Sequence, residues 1–434
     1  MTDLSKKSCV VYDHGYFLEL ALRLARDVGT VYYACPWEDA MSRYEKRVIG
    51  EGYKEQGVIR VEDIHDVIDK VDFAVFPDVH HAGMQLYFEK QGHVVWGARR
   101  ADSLELLKLT FKRFQEKVGM NYAKYDALNG LEELRKFCRQ ETDRWIKISP
   151  QYRGTIETFH HEDYLSSRTV LDQMGVDLGI MQDDFKFIAE RPIKAKLEGG
   201  LDTYTVDGQH PKVAVQGYEK KDMCYFAAVQ KYEDVPKEIT VVNEYLWPVL
   251  KTHRCRQFLS TEVKITEEGE SYLLEPTVRM PSPAGEEQME IYANFSEIIY
   301  EGAHGNLIEP EVIAPYCCEA MVEHHEDEQH PRDLKIPPEV RQWVKLYNTA
   351  QVGDRVWIAP GSKIIGAVVG IGDTPKKALA HLKENAAQLD GAPVTIHVEA
   401  LVDIMAEIQT AEASGIDFSD EPLPDPAEVV ENAT

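Results

Sequence analysis

Two glutamates in the second half of the chain are spaced to work together. Glu262 lies in Phe258-Leu-Ser-Thr-Glu262-Val-Lys-Ile, and Glu275 in Ser271-Tyr-Leu-Leu-Glu275-Pro-Thr277-Val-Arg279. Each sits in a β-like apolar run. The acidic stretch 266–270, with Gly269, reads as the turn of a hairpin joining them. Such a hairpin presents two carboxylates and, just beyond the second, a guanidinium. Hard carboxylate oxygens hold magnesium together with nucleotide phosphates, and arginine suits a phosphoryl group. Upstream, Lys147 lies inside the apolar run Trp145-Ile-Lys147-Ile, where a lysine needs a partner.

The elements that must position these groups fall into several units. With 434 residues and a formal net charge of −26, the chain is long enough for two to four domains. The acidity argues against nonspecific nucleic-acid binding, which needs a basic surface. No run of apolar residues is long enough to span a membrane, and the first residues lack the apolar core of a signal peptide. Seven scattered cysteines fit reduced thiols and a cytoplasmic setting.

Residues 1–100 alternate strand and helix patterns: strands at 8–12, 30–34, 72–77 and 94–97, and helical spacing at 17–28 and 61–71. That pattern predicts a parallel α/β domain, whose ligands sit at the carboxyl ends of strands. Asp13-His14-Gly15 and Asp78-Val-His80-His81 both follow strands, so Asp13, His14, His80 and His81 are candidates for a substrate pocket. The histidine pairs at 80–81, 160–161 and 324–325 have no matching acidic or thiol partner at a metal-site spacing. Residues 101–190 read as a small α+β unit opening with one helix over 101–119. Residues 191–318 are mostly strands, with helices near 238–250 and 286–300. We expect a linker at 319–339, a last α+β unit over 340–413, and an acidic tail at 414–434. The tail is expected to be disordered or to lie on a neighbouring subunit of a homodimer.

The order of these pieces resembles the ATP-grasp superfamily of carboxylate–amine ligases, in particular its phosphoribosylamine–glycine ligase branch. The resemblance is carried by 101–123 with Lys108, by Trp145-Ile-Lys147-Ile-Ser-Pro150, by Phe187-Ile-Ala-Glu190 followed by Asp202-Thr-Tyr-Thr-Val-Asp-Gly208, by Leu274-Glu275-Pro-Thr277-Val-Arg279 with Glu286-Glu-Gln288, and by Val369-Gly-Ile-Gly372-Asp-Thr-Pro. It implies an ATP-grasp fold of mixed α/β and α+β character, with a parallel α/β domain before the grasp lobes and a small α+β domain after them. ATP and Mg2+ are the implied cofactors, and a small carboxylate and an amine the implied substrates.

The resemblance also implies roles. Glu262, Glu275 and Thr277 would hold magnesium, and Arg279 the γ-phosphate and then an acyl phosphate. Lys108 and Lys147 would meet the other phosphates, and Glu190 the adenine side. Glu198 or Asp202, with Asp202 preferred, would bind the ribose. Three departures stand out. Thr277 replaces the family's asparagine, the glycine-rich phosphate loop shrinks to Arg153-Gly-Thr155, and Asp13-His14-Gly15 stands in place of the family's glycine-rich first loop. Arg153 is a candidate phosphate contact, and 152–159 a candidate lid over a hydrolysable intermediate.

Overall fold

Short β-branched and aromatic runs build the first layer. In the computed structural model, which describes residues 2–36, 48–151, 158–326, 329–389 and 391–430, five parallel strands form one sheet. Their order is Val58–Val61, Thr30–Ala34, Ser8–Tyr12, Phe73–Val75, Val95–Trp96. The strand order reverses between Ser8–Tyr12 and Phe73–Val75, and this is where a parallel sheet leaves a crevice. Helical spacing at 61–71 does not produce an α-helix. Two 3-10 turns, Ile64–Asp66 and Ile68–Lys70, bury Ile64 and Ile68 instead, and the Asp63 side chain caps the first.

The expected single helix over 101–119 is interrupted. Leu107 leaves helical geometry, separating Ser103–Leu106 from Lys108–Val118. The interruption frees backbone groups that hold the end of the Arg144–Ser149 strand. Leu109 N–H donates to Ser149 Oγ at 3.2 Å, and Gln151 N–H to the Leu106 carbonyl at 2.8 Å. That strand belongs to a four-stranded antiparallel sheet ordered Tyr125–Asn129, Lys186–Glu190, Arg144–Ser149, Thr158–His161. Helices Gly130–Cys138 and Tyr164–Leu178 cover it with Leu131, Leu134, Leu171 and Met174.

A second, larger antiparallel sheet runs from Ser271–Thr277 through Arg256–Ile265, Leu197–Val206, Val213–Lys220, Cys224–Lys231, Tyr316–His324 and Ile364–Gly372 to Val344–Leu346. Strand Tyr316–His324 corrects the linker expectation at its start: 319–324 is strand, buried in mid-sheet. Helix Lys237–Thr252 packs on one face. The expected helix 286–300 is two helices, Gly285–Ile291 and Phe295–Ala303, since Tyr292 leaves helical geometry.

The acidic tail is also corrected. Phe418 is buried against Tyr218 and Phe226 on the face of this same sheet, and Val429 is buried as well. The tail therefore folds back on its own chain, because its few apolar residues find a groove there. All seven cysteines are buried and free. Among the described residues no helix is long and apolar enough to cross a membrane.

Candidate active site

The predicted hairpin forms. Strands Arg256–Ile265 and Ser271–Thr277 pair antiparallel, with the register shifting at Glu262. This irregularity leaves Glu262 and Glu275 both on the wall of a cavity of about 570 Å³, with Thr277, Arg279, Asp202 and Glu219.

Four cations gather near this wall from three places in the chain: the helix Lys108–Val118, the strand Arg144–Ser149 and the segment after Thr277. Lys108, at the start of its helix, is ion-paired with Glu275. Lys147 lies 3.9 Å from Glu275 and 3.5 Å from Glu190. Lys112, one helical turn after Lys108, lies 2.9 Å from the other oxygen of Glu190. Arg279 Nε donates to Glu105 at 2.9 Å, and Glu105 also accepts the Val278 backbone N–H. Lys108, Lys112, Lys147, Glu190 and Glu105 are all buried. Buried ions of this kind hold only as paired networks.

The electrostatics follow from the packing. Burial pushes the Glu275 carboxyl up, but the Lys108 and Lys147 ammonium groups outweigh it and hold its pKa at about 2. Burial depresses the Lys112 ammonium despite Glu190. For Lys147 burial acts the same way, yet Glu275 and Glu190 prevail and raise it. Glu262 has no such support. Burial, then the charges of Glu198 and Glu275, push it up to about 7.

Glu190 is thus a hub between two lysines. Of the two acids offered for a ribose, Glu198 is exposed in the cavity beside Lys264, at 3.0 Å. Asp202 is buried and accepts the Tyr225 hydroxyl, and burial pushes it up to about 6.

The loops at the crevice of the parallel sheet also meet. His14 Nε2 and His81 Nε2 lie 2.5 Å apart with their rings stacked, and Tyr12 packs edge-on against His81. At that distance one ring must donate a proton to the other. Asp13 is a turn former: its buried carboxylate takes the N–H groups of Gly15 and Phe17 and the Tyr33 hydroxyl. His80 is exposed with positive φ. The chain just after Arg279 reaches this region, where Met280 N–H donates to the Pro77 carbonyl at 2.8 Å. Arg153 and most of the expected lid lie outside the described residues. Sequence reasoning missed Lys112, Glu105 and Glu219; Lys112 alone left a signal, as the second lysine on the buried face of its helix.

No protein-family model and no curated protein matches the sequence. Solved structures do match. Phosphoribosylamine–glycine ligase from Thermotoga maritima aligns at TM-score 0.65 and 15% identity, over 90% of this chain and 98% of that one. Biotin carboxylase from Campylobacter jejuni, solved with a β-γ-ATP ligand, aligns at 0.62 and 14%, over 91% and 93%. The chain has the ATP-grasp fold. A third ATP-grasp structure, carboxyaminoimidazole ribonucleotide synthase from Aspergillus clavatus with ATP, aligns at 0.58 and 13%, over 89% and 99%.

The donor set fits a magnesium ion. Mg2+ is usually held by one or two carboxylates together with substrate phosphates. Glu262 and Glu275 are two hard-oxygen donors on adjacent strands, and the crowding that pushes Glu262 up is what a divalent cation would relieve. Among the described residues no group of three or more His, Cys, Asp and Glu side chains is arranged as a complete metal site. Phosphate oxygens would have to complete the coordination.

Proposed function

We propose that the protein is an ATP-dependent carboxylate–amine ligase. The reading is supported above all by Lys108 and Lys147 on Glu275, with Lys112 on the neighbouring Glu190 and Arg279 on the wall of a cavity that also exposes Glu262. Such a constellation binds a triphosphate and stabilises the charge that spreads over its oxygens during transfer.

Lys108 and Lys147 would contact phosphates, with Lys112 and Glu190 holding them in place. Glu198 takes the ribose in preference to Asp202, because it is exposed in the cavity while Asp202 is occupied by Tyr225. Magnesium, held by Glu262 and Glu275 with Thr277 beside them, would neutralise phosphate charge. Arg279, kept in position by Glu105, faces the transferring phosphoryl group. A substrate carboxylate attacks it, ADP leaves, and an acyl phosphate forms. The amine then adds to the carbonyl, loses a proton and displaces phosphate to give an amide. His14 and His81, which meet each other after two strands of the parallel sheet, are assigned to the carboxylate substrate.

The test is magnesium-dependent ADP release across a panel of carboxylate and amine pairs. Release that requires one pair, and is lost in Glu275→Gln, supports the ligase. A second reading, nucleotide binding without turnover, is favoured by Thr277 where a better metal ligand is expected. It predicts nucleotide-induced stabilisation that survives Glu275→Gln, with no ADP release in either form.

A further inference from the structure

The cavity wall carries charge of both signs. Arg279 lines it, and Glu275 on the same wall is paired with Lys108 and Lys147. Asp202, Glu219 and Tyr225 line it as well. Tyr225 stands opposite Glu219 on one neighbouring strand and opposite Glu319 on the other. Residues paired across an antiparallel ladder project from the same face, so these three side chains share the cavity face of the sheet. Gly217 lies on that face too, and a Cβ there would come within 1.8 Å of the Tyr225 hydroxyl. The tyrosine therefore lies across a bare stretch of strand and donates to Asp202.

Behind this wall, helix Gly285–Ile291 packs on the strand bearing Glu319 and brings in Glu286 and Glu287. Glu286 accepts Ser282 and Tyr347 hydroxyls, each at 2.8 Å, and Ser282 lines the cavity. Glu287 and Glu319 are at most 1% exposed, and neither oxygen of either carboxylate has a hydrogen-bond partner.

Among the described residues, none of Asp202, Glu219, Glu286, Glu287 and Glu319 takes part in an ion pair. Glu219 is exposed to the cavity and the other four are buried, and buried carboxylates are stabilised by cations or hydrogen-bond donors. These five come from three strands and a helix and do not converge as metal ligands do. An ammonium group, with its three donors and a flexible stem, suits such a spread.

We propose that this acidic part of the wall binds the cationic tail of the amine substrate, making that substrate an aliphatic diamine or polyamine. Its reacting nitrogen points toward Arg279, and a further ammonium is held by Glu219 and by Asp202, which it shares with the Tyr225 hydroxyl. The proposal rests on the ligase reading of the same cavity and extends it to the class of the amine.

The experiment is calorimetric titration of the full-length protein, loaded with Mg2+ and a non-hydrolysable ATP analogue, at constant ionic strength. The probes are 1,4-diaminobutane, spermidine and 1-aminobutane. The diamine and triamine should bind at least about ten-fold tighter than the monoamine. Glu219→Gln should lose at least about ten-fold in diamine affinity while keeping its melting temperature and its affinity for the analogue. Equal affinity for mono- and diamine, no binding, or an unchanged Glu219→Gln would overturn the proposal. Binding is read without turnover, so the two readings fail separately. ADP release with only uncharged-tail amines would sink this proposal and leave the ligase standing. Diamine binding without ADP release for any pair would do the reverse.

Discussion

Arg279 Nε lies 2.9 Å from Glu105 Oε1, and the other oxygen of Glu105 takes the Val278 backbone N–H at 2.8 Å. A carboxylate from the helix before Lys108 thus fixes both the side chain and the backbone of the motif arginine. Burial pushes Glu105 up, partly offset by Arg279, so the pair depends on both members. Glu105→Gln should keep the N–H contact in part but release the guanidinium. We expect kcat for ADP release to fall about a hundred-fold, the usual cost of misplacing a reacting group, with little change in nucleotide affinity. An unchanged kcat would make Glu105 merely structural.

Glu190→Gln leaves Lys112 and Lys147 buried without their shared counter-charge. Removing one partner of a buried pair costs about 3–5 kcal/mol. Urea denaturation should show a loss of that order in the nucleotide-free protein, and an ATP analogue should restore part of it as phosphates replace the carboxylate. A loss that the analogue leaves untouched would separate Glu190 from the nucleotide site.

Lys147→Met keeps the stem of a strand residue and removes its charge. Hydrogen bonds to charged groups contribute about 1.5–3 kcal/mol, so affinity for the ATP analogue should fall about ten- to a hundred-fold. Titration calorimetry measures this directly, and unchanged affinity would move the phosphates elsewhere.

Stability should depend on pH in a definite direction. Asp202 is pushed up to about 6 and Glu219 to about 8, both mainly by burial. A carboxyl whose folded pKa exceeds its unfolded value contributes stability that is complete below the unfolded pKa and is lost as pH rises through the folded one. The melting temperature of the ligand-free protein should therefore fall as pH rises from about 4 to about 8. Glu275, held low, contributes stability lost only as pH drops below about 4, outside that window. Asp202→Asn should flatten the lower half of the decline, and a melting temperature that rises across the window would contradict the assignment.

Local pattern carried part of this architecture. The glutamate hairpin was legible because its strands are adjacent in sequence and share one turn. The parallel first domain was legible because its alternation is repeated. Lys147 stood out as a charge within an apolar strand. What stayed hidden depends on distant segments. Glu105 looks like any exposed helix acid until Arg279 docks on it. Glu219 reads as part of a charged turn with Lys220 and Lys221, yet its strand places it on the cavity wall. Glu319 lay in what composition marked as a linker, and only its pairing with Tyr225 and Val369 reveals a central strand. Leu107 breaks a helix that its own sequence would continue, because the end of the Lys147 strand claims the freed backbone.

The central claim is transfer through an acyl phosphate, and oxygen tracing tests it most directly. The carboxylate substrate is labelled with 18O in both oxygens and turned over with ATP, Mg2+ and the amine, and the released inorganic phosphate is analysed by mass spectrometry. The carboxylate oxygen that attacks phosphorus must leave with it, so the account predicts one 18O per phosphate formed. ADP release with unlabelled phosphate, or no ADP release with any pair while the folded protein binds nucleotide, would contradict it.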